Sequence, residues 1–311
     1  MATPIKLRHL ETFIEVARQK SIQKAADALR VSQPAVTKTM RELEDNLGVA
    51  IYERDGRGIR ITSHGDVFLR HSGAALASLR QGMDSITAGR LGELPPIRIG
   101  ALPTVSSLVM PSAVQLFLQE NPTRRLRIVT GENRTILEQL RLGELDIVVG
   151  RMAAPELMVG LSFEHLYSEV VRFVVRPGHP LLQGPGSIFE RMADYQVLMP
   201  TPTSIIRPYV DRLLIANGAP PISRQIETVS DTFARSFLRT SDAVWIISSG
   251  VVANDLADGS LVALPVDTTE TQGPVGLTMR ADTPSLPGNE PMVHAIRAAA
   301  EQLRRADRLS V

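Results

Sequence analysis

Residues 21–48 read Ser21-Ile-Gln-Lys24-Ala-Ala-Asp-Ala-Leu29-Arg-Val-Ser32-Gln-Pro-Ala-Val36-Thr-Lys38-Thr-Met40-Arg41-Glu-Leu43-Glu-Asp-Asn-Leu47-Gly48, and this stretch decides the fold of the amino-terminal region. Ser21 is a helix N-cap, able to accept from an otherwise orphaned backbone N–H, and Ile22, Ala25, Ala26 and Leu29 follow at helical spacing. Ser32 repeats the capping signal, with Gln33 and Pro34 in a first turn where proline's missing N–H costs nothing. A longer helix then runs to Leu47 before Gly48 ends it, so two helices joined by a tight turn are predicted. At about 100° per residue, Val36, Met40, Leu43 and Leu47 gather on one side of the second helix. Pro34, Lys38, Arg41 and Asp45 point away, flanked by Gln33 and Thr37. Amide, hydroxyl and cationic groups on an exposed helix start suit base edges and phosphates in a major groove, where Gln pairs adenine and Arg pairs guanine. Any surface helix has a solvated polar face; the order short helix, tight turn, capped helix is what points to a helix-turn-helix.

Upstream, Leu7, Leu10, Phe13, Ile14 and Ala17 place one apolar face on a first helix that needs partners to cover it. Downstream, Ile51 to Ile61 reads as two short strands around Asp55-Gly56 and Gly58, a hairpin whose Arg54, Arg57 and Arg60 could reach phosphate or the minor groove as the wing of a winged helix-turn-helix. A solvated turn is the plain alternative. Thr62-Ser63-His64-Gly65 opens another helix in which Leu69, Leu76 and Met83 repeat every seven residues, with Leu79 and Ile86 between them. That is a seam for pairing two chains, in competition with packing on its own domain, since Ser72 interrupts it.

The whole chain has 311 residues, enough for about two domains and a small module, and its 43% hydrophobic and 22% charged residues are ordinary for a globular protein. Zero cysteines exclude thiol catalysis, thiolate zinc sites and disulfide frameworks. No apolar run is long enough for a signal peptide or a membrane span, and a cytoplasmic location is expected. The net charge of +1 hides an asymmetry: residues 1–91 hold fourteen Lys or Arg against ten Asp or Glu, including all four lysines, while the remainder is weakly acidic. The six histidines show no metal-ligand spacing, Ser21-Ile-Gln-Lys24 matches a serine–lysine acyl-transfer spacing only inside the helix-turn-helix, and Asp55-Gly-Arg-Gly58 lacks the strand and Gly-Lys of a phosphate loop. No cofactor, metal or enzymatic activity is expected.

The body begins after Leu91-Gly-Glu-Leu-Pro-Pro96, a hinge where two prolines end the long helix. Strand Ile97–Ala101, a helix through Phe117, strand 125–130, helix 135–142 and strand 145–150 make a βαβαβ order. After Arg176-Pro-Gly-His-Pro180 the alternation resumes through strands at 197–199, 222–227 and 244–247 and helices at 205–216 and 232–238. A strand at 275–279 and a helix at 291–303 would return to the first lobe. Ligands in open α/β sheets sit beyond strand carboxyl ends, near helix N-termini. Those places carry Thr104, Ser106, Thr130, Thr201, Thr203, Ser204, Arg207, Ser230 and Ser248, hydroxyls and one cation suited to a carboxylated effector, although Ser and Thr also cap helices at such junctions.

Leu10, Phe13, Ala25-Ala26, Leu29, Val31-Ser-Gln-Pro-Ala-Val36, Leu43-Glu44, Leu47-Gly48, Glu53-Arg54 and Thr62-Ser-His-Gly65 together strongly resemble the DNA-binding region of LysR-type transcriptional regulators. Length and domain order extend the resemblance to the whole chain. It implies an α+β multidomain architecture: a winged helix-turn-helix at 1–65, a linker and dimerisation helix at 66–91, and a two-lobed α/β effector domain of periplasmic-binding-protein type at 92–311. Lobe 1 would span about 97–175 and 270–305, and lobe 2 about 176–269. The implied DNA-binding residues are Ser32, Gln33, Pro34, Thr37, Lys38 and Arg41 on the helix and Arg54, Arg57 and Arg60 on the wing. The implied partners are double-stranded DNA with an interrupted palindrome, a small organic-acid effector, further copies in a homodimer or homotetramer, and RNA polymerase. Glu15 to Lys20, Gln33 to Thr39 and Glu53 to Ile59 are similar to family members that activate protocatechuate (pca) catabolism. Sugar-responsive members have similar amino-terminal regions, and a small-molecule binding protein whose helices serve only oligomerisation is the alternative outside the family.

Overall fold

The computed structural model of the chain describes residues 4–56, 58–90, 94–281 and 288–309. It divides into two compact units, residues 1–95 with 138–145, and residues 96–137 with 146–311.

In the first unit the helices are α1 (Leu7–Gln19), α2 (Ile22–Leu29) and α3 (Gln33–Leu47), followed by the antiparallel hairpin β1 (Tyr52–Asp55) and β2 (Gly58–Ile61) and the long helix α4 (Ser63–Arg90). The predicted caps are in place: the Ser21 hydroxyl accepts from Lys24 N and the Ser32 hydroxyl from Ala35 N, each at 3.4 Å, and Gly48 ends α3 with φ 70°. Phe13, Val16, Ala25, Ala26, Val36, Met40, Leu43 and Ile51 are buried together, and Phe68 of α4 sets its ring 5.5 Å from that of Phe13. The hairpin is tied to the α1–α2 turn by Ile59 N, which donates to the Lys20 carbonyl at 3.1 Å. Gly65 is required where α4 begins, because a Cβ there would stand 2.0 Å from the Ile51 carbonyl oxygen.

The α4 seam divides in two. Leu69 packs against the helix-turn-helix core and Leu76 is buried beside Ile14, whereas Leu79, Met83 and Ile86 are exposed. Packing on its own domain therefore accounts for Leu69 and Leu76.

The second unit opens with β3 (Ile97–Ala101), α5 (Pro103–Ser107), α6 (Val109–Glu120), β4 (Leu126–Val129), the first part of α7 (Asn133–Arg141, whose residues from 138 on count with the first unit), β5 (Ile147–Arg151) and β6 (Leu161–Glu169). It continues with β7 (Val171–Val175), α8 (Ile188–Arg191), β8 (Val197–Met199), α9 (Arg207–Ala216), β9 (Gln225–Glu227) and α10 (Asp231–Arg239), then β10 (Val244–Ser248), α11 (Ala253–Ala257), β11 (Val262–Ala263), β12 (Gly273–Arg280) and α12 (Glu290–Leu309). Two five-stranded sheets result, β4-β3-β5-β12-β6 and β11-β7-β10-β8-β9. The first is parallel through β4, β3 and β5, then antiparallel at β12 and β6; its core joins Ile99, Val149 and Leu277 to Phe117 and Ile296 of the covering helices. The second packs Phe173, Val197 and Ile246 against Val210 and Leu213.

Three expectations change. Strand β6 has no counterpart in the sequence reading. The first crossover between lobes falls at Val170, so 171–175 belongs to the second lobe instead of ending the first. A single residue separates β6 from β7, and hydropathy carries no mark of the point where a continuous extended run changes sheets. The helix after β3 is two helices, broken at Leu108. Of the predicted hinge, residues 91–93 lie outside the described residues.

No helix among the described residues is long and apolar enough to cross a membrane.

Candidate functional site

On α3 the apolar stripe is spent on the core, with Val36, Met40 and Leu43 at most 1% exposed, and this turns the opposite side outward. Gln33, Pro34, Lys38 and Arg41 are exposed, as is the capping Ser32; Thr37 is half-buried and its hydroxyl donates to the Gln33 carbonyl at 3.1 Å. All of these except Ser32, with Glu42 and Asp45, line a shallow concavity. Arg41 makes no hydrogen bond or ion pair among the described residues. Lys38, 79% exposed, approaches Glu42 only at 4.0 Å. Glu42 ties this face to α1, contacting Nε2 of the buried His9 at 3.2 Å and accepting from Arg8 at 3.0 Å. The His9 contact, opposed by burial and helped by Arg8 and Lys38, holds the Glu42 carboxyl below its usual range.

Of the wing arginines, Arg54 is exposed and unpaired among the described residues. Arg60 is exposed and ion-pairs with Glu53 at 2.6 Å across the hairpin. The register sets Glu53 opposite Arg60, a pairing that emerges only once the strands are aligned. Arg57 lies outside the described residues.

In the second unit a cavity of about 430 Å³ lies between the two sheets, the size of a site for one small organic molecule. Thr104, Thr130, Thr201, Thr203, Ser204, Ser230 and Ser248 all line it, brought together from strand ends in both lobes. Two predicted residues do not. The Ser106 hydroxyl donates to the Ala101 carbonyl at 3.2 Å, and Arg207 is consumed by Asp211 and Glu227, each at 2.8 Å, and by the Pro200 carbonyl. Arg207 starts α9, where Asp211 one turn on claims it first. Several of the lining hydroxyls also have structural duties: Ser230 caps α10 by accepting from Phe233 N at 3.2 Å, and Thr104 donates to Glu169.

The sequence reading missed Arg151, Asn133 and Trp245, which also line the cavity. Arg151 is the last residue of β5, and a cation closing an otherwise apolar buried strand was the available signal. Asn133 Nδ2 donates to the Arg151 carbonyl at 3.2 Å. Close by, Glu169 sits where the chain crosses between lobes, its Oε2 accepting from Thr104 on one side and from Gly250 N at 3.3 Å on the other. Burial pushes the Glu169 carboxyl up, opposed by the Thr104 bond and the Arg151 charge. Among the described residues no group of three or more His, Asp or Glu could hold a metal ion.

An exposed polar and cationic helix in one unit and a hydroxyl-lined interlobe cavity in the other are the two parts of a ligand-responsive DNA-binding protein. Comparison with known proteins gives the same division. Residues 7–66 match the family of bacterial regulatory helix-turn-helix proteins of lysR type, and residues 92–306 match the LysR substrate binding domain. The chain is 62% identical over 302 residues, 96% of each protein, to the HTH-type transcriptional regulator PcaQ of Agrobacterium fabrum. It is 37% identical over 293 residues, 94% of this chain and 95% of the relative, to the uncharacterized HTH-type transcriptional regulator YdcI of Escherichia coli. A full-length OxyR variant from Pseudomonas aeruginosa shares the fold, with a TM-score of 0.59 at 21% identity over 95% of each chain. The chain belongs to the LysR family of helix-turn-helix transcriptional regulators.

Proposed function

We propose that this regulator acts in the cytoplasm as an activator of aromatic-acid catabolic genes, those of the protocatechuate pathway, in response to a small carboxylated effector. The 62% identity to PcaQ and the similarity of residues 15–20, 33–39 and 53–59 to protocatechuate regulators support the pathway. In this reading Gln33, Thr37, Lys38 and Arg41 meet base edges and phosphates of an interrupted palindrome, with Ser32 and Pro34 at the helix start, and Arg54, Arg57 and Arg60 follow the backbone or minor groove. The exposed Leu79, Met83 and Ile86 of α4 form the seam with a second copy, pairs of dimers make a tetramer, and RNA polymerase is the downstream partner. The effector occupies the interlobe cavity, where Thr130, Thr201, Thr203, Ser204 and Ser230 offer hydrogen bonds. It needs only to favour one arrangement of the lobes to alter the spacing of the DNA-reading heads.

The observation that carries this reading is the outward cationic face of α3. Arg41→Ala is expected to reduce discrimination between operator and random DNA by about 1–3 kcal/mol, measured by competition gel retardation. Unchanged discrimination would remove Arg41 from the base-reading set. For the effector, isothermal titration of the full-length protein with protocatechuate and with 3-carboxymuconate is expected to give saturable heat with at least one. No heat with either would discard the protocatechuate assignment.

A further inference from the structure

Glu42 and Asp45 are the carboxyl groups in the concavity that α3 forms with Gln33, Pro34, Thr37, Lys38 and Arg41. They are held very differently. His9 of α1 is fully buried, and its Nδ1 accepts from the Lys6 N–H at 3.1 Å, so the ring's own N–H lies on Nε2 and donates to Glu42 Oε2 at 3.2 Å. Arg8 donates to the same oxygen at 3.0 Å. Oε1 is left facing Lys38, whose Nζ stands at 4.0 Å, beyond hydrogen-bond reach. These contacts, that of His9 above all, keep the Glu42 carboxyl ionised. Asp45 is exposed and makes no hydrogen bond or ion pair among the described residues. Glu42 therefore cannot swing away from the face as Asp45 can, and it occupies two exposed cations, Arg8 and Lys38, that a phosphate would otherwise take. A mere tie between α1 and α3 has no need of a charge, since a neutral acceptor satisfies the imidazole N–H equally well.

We propose that Glu42 is a specificity-determining residue: its fixed negative charge penalises phosphate brought against this part of α3, and the penalty is offset only where a base amino group, on cytosine or adenine, meets Oε1 in the major groove. The assignment rests on the reading of the α3 face as the DNA-reading surface. Random duplex, which holds a basic helix by its phosphates alone, bears the penalty in full. An operator that offers the amino group does not. Discrimination then comes partly from a repulsive element and not only from the attractive pairs of Gln33 and Arg41.

The test measures fluorescence anisotropy of a labelled operator fragment and of a random-sequence duplex of equal length, at several salt concentrations, with full-length wild-type, Glu42→Gln, Glu42→Ala and Asp45→Asn proteins. Glu42→Gln keeps an oxygen for the His9 N–H and loses only the charge. It is expected to bind random DNA about three- to tenfold more tightly at about 100 mM salt, with operator affinity changed less than about twofold. The slope of log affinity against log salt on random DNA should steepen by about one as Arg8 and Lys38 are released to phosphate. Glu42→Ala should move both readouts the same way, and Asp45→Asn, which loses an untethered carboxylate, should move them less. A folded Glu42→Gln or Glu42→Ala protein whose random-DNA affinity and slope match or fall below those of wild type overturns the role of Glu42 and leaves the DNA-reading face standing. An effect of Asp45→Asn equal to that of Glu42→Gln overturns it as well, since tethering would then count for nothing. Wild type without salt-dependent binding to either duplex removes the DNA-reading face, and this assignment with it. If Glu42→Gln does not fold, Glu42→Ala decides.

Discussion

Raising the salt concentration from about 50 to about 200 mM is expected to weaken binding to operator DNA by on the order of 10³- to 10⁵-fold, the loss for a protein that releases counterions at about six to ten phosphates. The first unit is built for this dependence. It holds all four lysines of the chain and a balance of fourteen cationic against ten acidic residues over positions 1–91. Lys38, Arg41 and Arg54 stand in solvent with at most a distant partner, and two or four copies of that face would meet the duplex at once. Fluorescence anisotropy with a labelled fragment from upstream of the chain's own gene, titrated at several salt concentrations, gives the slope of log affinity against log salt directly. A flat slope, or no retention of any DNA, would contradict the use of this face on a duplex. Because Arg60 is already paired with Glu53, Arg60→Ala should reduce the slope less than Lys38→Ala does.

Phe13→Ala is expected to cost the first unit about 3–5 kcal/mol, the range for removing a buried aromatic ring. Phe13 is fully buried, with Met40, Leu43 and Ile51 in the same cluster and Phe68 against its ring. Native domains hold only about 5–15 kcal/mol in all, so a unit this small would lose much of its folded population and its DNA binding with it. Urea unfolding followed by far-ultraviolet circular dichroism should show an early transition absent from wild type. The one tryptophan, Trp245, is buried in the second unit, so its fluorescence serves as an internal control and should keep the wild-type midpoint. Coincident shifts of both probes in Phe13→Ala would show that the two units unfold as one.

Much of the DNA-binding unit was legible because its determinants are local. Ser21, Ser32 and Gly48 act on backbone groups within four residues of themselves, and the period of Val36, Met40 and Leu43 fixes which side of α3 is inward without knowledge of what covers it. The same locality made much of the strand and helix order readable in the second unit, β6 and the break at Leu108 excepted, and placed seven of the hydroxyls that meet in the cavity, since each lies at a strand end or helix start. Reading failed where a side chain's partner is remote in sequence or its neighbour's claim is invisible. Arg207 looked like a ligand until Glu227, twenty residues on, paired with it.

The sequence by itself determined most of the order of elements and the inward face of the helices of the first unit, because capping and periodicity act over one or two turns of chain. Only the tertiary structure decided which charges remain unspent. Glu42 is held by Arg8 and His9 of α1, 34 and 33 positions away, and Glu169 by Thr104 and Gly250 from opposite lobes. Burial and desolvation depend on everything that packs around a group, and that environment is assembled by long-range contacts that no local pattern encodes.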